Sequence, residues 1–178
     1  MVFNPTDPTP DMSMFQEHDW CDFYGDVKEV IPPNAYEPRS KEVGMRIFVD
    51  SYHRGDKLII IYRTVYIIFL NNAPMAWFSK KQASIETSVF GAEFVAMKIG
   101  IKTLRGLQYK LRMMGVTISG TSLIYGDNFS VIQNTQRPES TLKKNSNSIC
   151  YHAIRESVAM VVYSDGACDI SGKPGIHL

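Results

Sequence analysis

The chain has 178 residues and a mass of 20.2 kDa, room for one ordinary domain with its own core and short for two. Apolar residues make up 44% and charged residues 21%, a balance that excludes wholesale disorder. The net charge of +1 conceals an imbalance: residues 1–43 carry nine acids and three bases, residues 44–178 nine acids and sixteen bases. An acidic leader before a mildly basic body is compatible with a polyanionic partner.

Residues 1–43 hold six of the nine prolines and read as an extended leader or linker. Its opening, MVFNPTDPTPDM, lacks the basic flank and apolar run of a secretory signal. Trp20, Phe23 and Tyr24 are the residues in it able to pin part of it to a neighbouring surface. From residue 44 the texture changes. Met45–Asp50 is predicted as a strand ending on an acid, followed by a turn around Gly55. Leu58–Leu70 is rich in Ile, Val and Tyr, as in a strand covered on both faces. At 13 residues, with Arg63 and Thr64 inside it, it is too short for a membrane-spanning helix. Asn71-Asn72 before Pro74 is turn chemistry. Met75–Ser79 is predicted as a third strand, in which Trp77 and Phe78 are expected in the core. Three strands on short turns make an antiparallel meander.

The period then changes. Between Thr87 and Met114 there is no proline, and Phe90, Phe94, Met97, Ile101, Leu104, Leu107, Leu111 and Met114 recur at helical spacing. This predicts a long amphipathic helix, weakened at Gly100 and Gly106 and stopped at Gly115. Leu123–Asp127 is a fourth strand that again ends on an acid. Asn128–Asn134 is a short helix, Pro138–Ser148 a polar loop and Tyr151–Val162 a further helix. The whole is a mixed α/β domain over 44–162, with a divergent tail at 163–178. The three cysteines, Cys21, Cys150 and Cys168, are too few and too widely spaced for a disulfide framework or a CxxC zinc site. An intracellular, reducing compartment is expected.

Three acids stand out by position. Asp50 and Asp127 end strands, and Glu93 lies in the first turns of the long helix among apolar neighbours. With the fourth strand beside the first, all three converge. Gathered carboxylates repel one another unless a cation joins them, and an all-oxygen set suits Mg²⁺. Each position also has a plainer explanation. Strand ends meet solvent, and the helix dipole favours Glu near an N-terminus.

At these residues the sequence resembles the ribonuclease H domain of copia-type retrotransposon polyproteins. The resemblance is carried by IFVDSYHRGD, RTVYIIFLNNAPMAWFSKKQASIETSVFGAEFVAMK, LQYKLRMMG, IYGDNFSV and PESTLKKNSNSICYHAIRE. The leader, MVFNPTDP…DW…FYGDVKEVIPPNA, resembles the connection between reverse transcriptase and that domain. The resemblance spans about residues 1–160. It implies a ribonuclease H-like mixed sheet, three antiparallel strands and then parallel strands with helices, whose last strand is here shortened or missing. It implies hydrolysis of RNA in RNA–DNA hybrids by two Mg²⁺ ions (or Mn²⁺), beside a reverse transcriptase domain of the same polyprotein. Asp50 (FVDS), Glu93 (AEF) and Asp127 (GDN) match the first three catalytic, metal-binding acids. Cys168-Asp169-Ile170 with Lys173 fits the motif of the fourth, which makes Asp169 a further ligand and Asp165 a weaker substitute. His152, in the YHxxRE motif with Arg155 and Glu156, is a candidate proton shuttle. Such a trio is more often a surface hydrogen-bonded cluster.

Lys98, Lys102 and Arg105 fall in an acid-free run of the long helix, and Lys80 and Lys81 follow the third strand. All five are candidate phosphate contacts, and the helical three are equally a solvated face. The chain departs from the family at Tyr52, where a second acid is usual, and at Val65, where the family's Gly stands. A β-branched residue there would be strained if the backbone needed φ > 0. Two readings stay open. One is a ribonuclease H-type endonuclease. The other is a degenerate, inactive remnant that at most binds nucleic acid.

Overall fold

A computed structural model describes residues 20–24, 33–53, 62–83, 86, 88–118, 122–142, 147–163 and 176–177. Three consecutive strands, β1 (Met45–His53), β2 (Tyr62–Leu70) and β3 (Ala73–Lys81), pair antiparallel in turn. The long helix α2 (Val89–Met113) follows a short α1 (Cys21–Tyr24) in chain order and leads to β4 (Leu123–Tyr125), which pairs parallel with β1. Helices α3 (Phe129–Gln136) and α4 (Ser148–Tyr163) come next. A two-residue β5 (Ile176–His177) lies parallel to β4, giving the order β3-β2-β1-β4-β5. A last strand is thus present, two residues of it among the described residues. Asp165, Asp169 and Lys173 lie outside the described residues, as do the turn around Gly55 and residues 58–61 of the predicted second strand.

β1 and β3 run longer than the predicted Met45–Asp50 and Met75–Ser79. β1 continues past Asp50 because β2 keeps pairing with it as far as His53 opposite Tyr62. β3 tolerates Pro74 because it is the edge strand and its register shifts opposite Ile68 and Phe69. Asn71 takes the left-handed backbone conformation (φ 52°) that the β2–β3 turn needs. Val65 sits in the middle of β2, opposite Asp50 and Ser79. It has no positive φ, so the strain anticipated there does not arise.

Helix α2 packs across β1 and β2. Ser88 caps it by accepting from the Gly91 amide at 3.2 Å, and Gly115 ends it with φ 73°. Its buried stripe, Phe94, Met97, Ile101, Leu104 and Leu111, meets Met45, Ile47, Val49, Tyr66 and Ile68 in one core. Gly100 is a contact point there, because a Cβ would fall 2.9 Å from Val49 Cγ2. Only one face of the meander is covered in this way. β2 alternates between buried and half-buried residues, so the expected cover on both faces is absent among the described residues. Phe78 turns to the helix side and stacks on Tyr66 at 5.0 Å. Trp77, expected in the core, is 77% exposed on the other face, because neighbouring strand residues point to opposite sides.

The leader is tied to the body. Trp20 is fully buried within the core cluster. Further along, the Arg39 amide donates to the Gly115 carbonyl at 3.0 Å and the Val43 amide to that of Thr117 at 2.9 Å. Among the described residues no helix is long and apolar enough to cross a membrane.

Candidate metal centre

Three elements bring three acids together. Asp50 comes from β1, which lies between β2 and β4. Asp127 lies two residues past the end of β4, and the parallel register, Phe48 opposite Tyr125, brings it level with Asp50 inside β1. Glu93 lies in the second turn of α2, which crosses this end of the sheet. One carboxylate oxygen from each falls within 4.8 Å of the others. Asp50 and Asp127 are exposed, whereas Glu93 is buried. Asn128 caps α3 directly behind Asp127, its Oδ1 accepting from the Val131 amide at 3.2 Å. The turn that carries the third acid is thereby fixed.

Electrostatics mark the cluster as cation-seeking. Burial pushes Glu93 up to about 7, and the charges of Asp127 and Asp50 push the same way, while the nearby Ser51 moderates the rise. Asp50 is also raised, by burial first and by Asp127 second. The Ser51 hydroxyl is buried without a hydrogen bond of ordinary geometry, which leaves a polar atom available to whatever binds beside Glu93. Oxygen donors of mixed exposure, with like charges unrelieved, fit a hard divalent cation.

By position Gln82 is expected, with Lys80 and Lys81, to reach a nucleic-acid backbone, but it faces inward instead. It is buried, and its amide donates to the Ala92 carbonyl at 2.9 Å and to Thr64 Oγ1 at 3.1 Å. It ties the first turns of α2, next to Glu93, to the sheet.

The other predicted residues scatter. Lys80 and Lys81 end β3, exposed, level with Thr64 and Arg63. Lys98, Lys102 and Arg105 line a separate groove of about 310 Å³ between α2 and α4, with Glu156 and Ser157 on the opposite wall. Arg105 donates there to Ser157 Oγ at 3.3 Å. His152 is outside the acidic cluster. Its Nδ1 meets the Tyr24 hydroxyl at 3.4 Å. Arg155 does not share a surface face with His152 and Glu156. It is buried, bonded to the carbonyls of Pro138, Arg137 and Ser140 and to the Tyr151 hydroxyl. The rings of Tyr151 and Trp20 lie 4.7 and 5.0 Å from its guanidinium, with Phe23 and Tyr24 next.

No protein-family model matches the chain. It is 24% identical over 120 residues to the retrovirus-related Pol polyproteins from transposons RE1 and RE2 of Arabidopsis thaliana. The match takes in 67% of this chain and 8% of each relative. In structure it is similar to the N-terminal ribonuclease H domain of a Mycobacterium tuberculosis protein, solved as a fusion with maltose-binding protein. The TM-score is 0.50 at 12% identity, over 67% of this chain and 76% of that one. The chain is thus homologous to a segment of copia-type Pol polyproteins and has the ribonuclease H fold.

Proposed function

We propose that this domain is a ribonuclease H-type endonuclease that cleaves the RNA strand of RNA–DNA hybrids within a copia-type retrotransposon polyprotein. The observation that carries this reading is the convergence of Asp50, Glu93 and Asp127 from three separate elements to within 4.8 Å. Its partners are the hybrid and a reverse transcriptase domain of the same polyprotein, inside the cell. The folded unit takes in Trp20 as well as the body from residue 44, a reading supported by the place of Trp20 in the core cluster.

Asp50, Glu93 and Asp127 hold Mg²⁺, or Mn²⁺ in its place, with Asp169 as the fourth acid of the set. Bound there, divalent ions supply Lewis-acid stabilisation of a phosphodiester transition state and a nucleophile at neutral pH. The chain's own residues do the rest. Glu93, buried and reluctant to ionise alone, gives up its proton on binding. Gln82 fixes the first turns of α2, which carry Glu93. Asp127 stays exposed at the mouth, where a phosphate approaches. Lys80 and Lys81 lie two strands away, about 10 Å to the side, and take neighbouring phosphates. Cleavage leaves a 3′-hydroxyl and a 5′-phosphate.

The test is cleavage of a labelled RNA–DNA hybrid with Mg²⁺ or Mn²⁺, run beside Asp50→Asn and Asp127→Asn. Activity in the wild type, lost in both variants, is expected. A folded wild type that binds the hybrid without cutting it would support the second reading, a degenerate remnant.

A further inference from the structure

We propose that the open face of the sheet beside Asp50 is a stacking platform for unpaired nucleobases, centred on Trp77. The inference rests on the nucleic-acid reading above, but needs no cleavage. Strand register orders this face into rows. Phe48, Ile67 and Trp77 are cross-strand neighbours, and Tyr125 joins the row beside Phe48. The next row is Asp50, Val65 and Ser79, and the one after it Tyr52, Arg63 and Lys81. Successive rows are about 7 Å apart, twice the rise of a strand residue. One carboxylate of the candidate metal centre therefore lies between an aromatic row and a basic one.

The aromatic row is open to solvent. Trp77 is 77% exposed and Phe48 42%. Phe48 is braced by Tyr125, ring on ring at 4.6 Å and 11°, and edge-on by Phe69 at 5.7 Å. Between Phe48 and Trp77, over Ile67, lies a concavity of about 410 Å³ that reaches Asp50 and Ser79. Phe48 and Trp77 stand two strands apart, about 10 Å, which leaves room for a flat ring between them. A nucleotide answers all the features at once. Its base offers a π-face to Trp77 and Phe48, and its phosphate meets Arg63 and Lys81. Such stacking tolerates any base. A second copy of the chain would offer aromatic rings but no phosphate to Arg63 and Lys81, so it answers fewer of these features. The acids beside these rows are those of the candidate metal centre, Asp50 with Asp127 level with it.

The sequence holds two tryptophans, and Trp20 is fully buried, so quenchable emission reports Trp77. The experiment titrates the full chain, in EDTA, with short single-stranded oligo(dT) and oligo(rU). Quenching that saturates is expected for both. Anisotropy of a labelled oligonucleotide should show about tenfold weaker binding to Trp77→Ala and near-normal binding to Trp77→Phe. Three results would overturn the proposal: no quenching, equal quenching by a polyphosphate that lacks bases, or self-association that buries Trp77 without any oligonucleotide. Quenching without hybrid cleavage sinks only the nuclease reading. Cleavage without quenching sinks only the platform.

Discussion

Gln82 joins the end of β3 to the first turns of α2, donating at 2.9 Å to the Ala92 carbonyl one residue before Glu93. Its second bond, to Thr64 Oγ1 at 3.1 Å, anchors the same amide to β2. Gln82→Leu keeps most of the volume and removes both bonds, leaving the buried Thr64 hydroxyl without this donor and the Ala92 carbonyl with its helical bond alone. A loss of about 1–3 kcal/mol in stability is expected, measured by denaturant unfolding. Because Glu93 rides on the same turn, the Mg²⁺ concentration for half-maximal hybrid cleavage should rise as well. A stability loss with an unchanged Mg²⁺ requirement would confine Gln82 to a packing role.

Glu93 has its ordinary value of 4.5 in the unfolded chain and is pushed up to about 7 in the fold, mainly by burial. Between those values the native state keeps a proton that the unfolded chain has released. Without divalent ions, stability is therefore fullest below about 4.5 and falls as pH rises towards 7. Asp50, also raised, adds to the same slope. Glu93→Gln should flatten most of it and make the metal-free protein more stable above neutral pH by about 2 kcal/mol. Mg²⁺ should raise the melting temperature of the wild type there, and hardly that of the variant. Melting curves across pH, with and without Mg²⁺, decide the point.

Gly100 lets α2 approach β1 closely: a Cβ added there would fall only 2.9 Å from Val49 Cγ2 and 3.1 Å from Ile47 Cδ1. Gly100→Ala gains about 1 kcal/mol of helix propensity but overpacks a buried contact at about 1–3 kcal/mol. Net destabilisation is expected. Gly106, with nothing within 4 Å of an added Cβ, should instead be stabilised by alanine. Denaturant unfolding of the two variants checks the contrast, and equal effects at the two sites would refute this account.

Arg155 has no acidic partner in its cage of carbonyls and rings. Arg155→Lys loses the planar fork that serves three carbonyls and the Tyr151 hydroxyl, and Trp20→Ala removes a fully buried ring at about 3–5 kcal/mol. Both variants should unfold at lower denaturant, and a chain starting at residue 33 should be destabilised like Trp20→Ala. A truncation as stable as the full chain would return the folded boundary to residue 44.

Much of the fold is legible in local patterns. The stop at Gly115, the turn at Asn71-Asn72 and the change from strand to helix period all follow from neighbouring residues. So do the positions of Glu93 in the first turns of α2 and of Asp127 just after β4, whereas Asp50, read as a strand end, lies inside β1, which pairs on to His53. Arg155 is where local spacing misleads, because it groups the residue with His152 and Glu156, and only the rings of Trp20 and Tyr151 draw it inside.

Trp77 and Phe78 mark the limit of sequence alone. Alternation decided that one of them faces each side of the sheet. Which side became the interior was decided by α2, through the close approach that Gly100 permits on Val49 and Ile47. In the same way, residue type and element ends marked three acids as candidates. Their meeting within 4.8 Å depended on β4 pairing parallel to β1 and on α2 crossing above them, long-range contacts that no local spacing encodes.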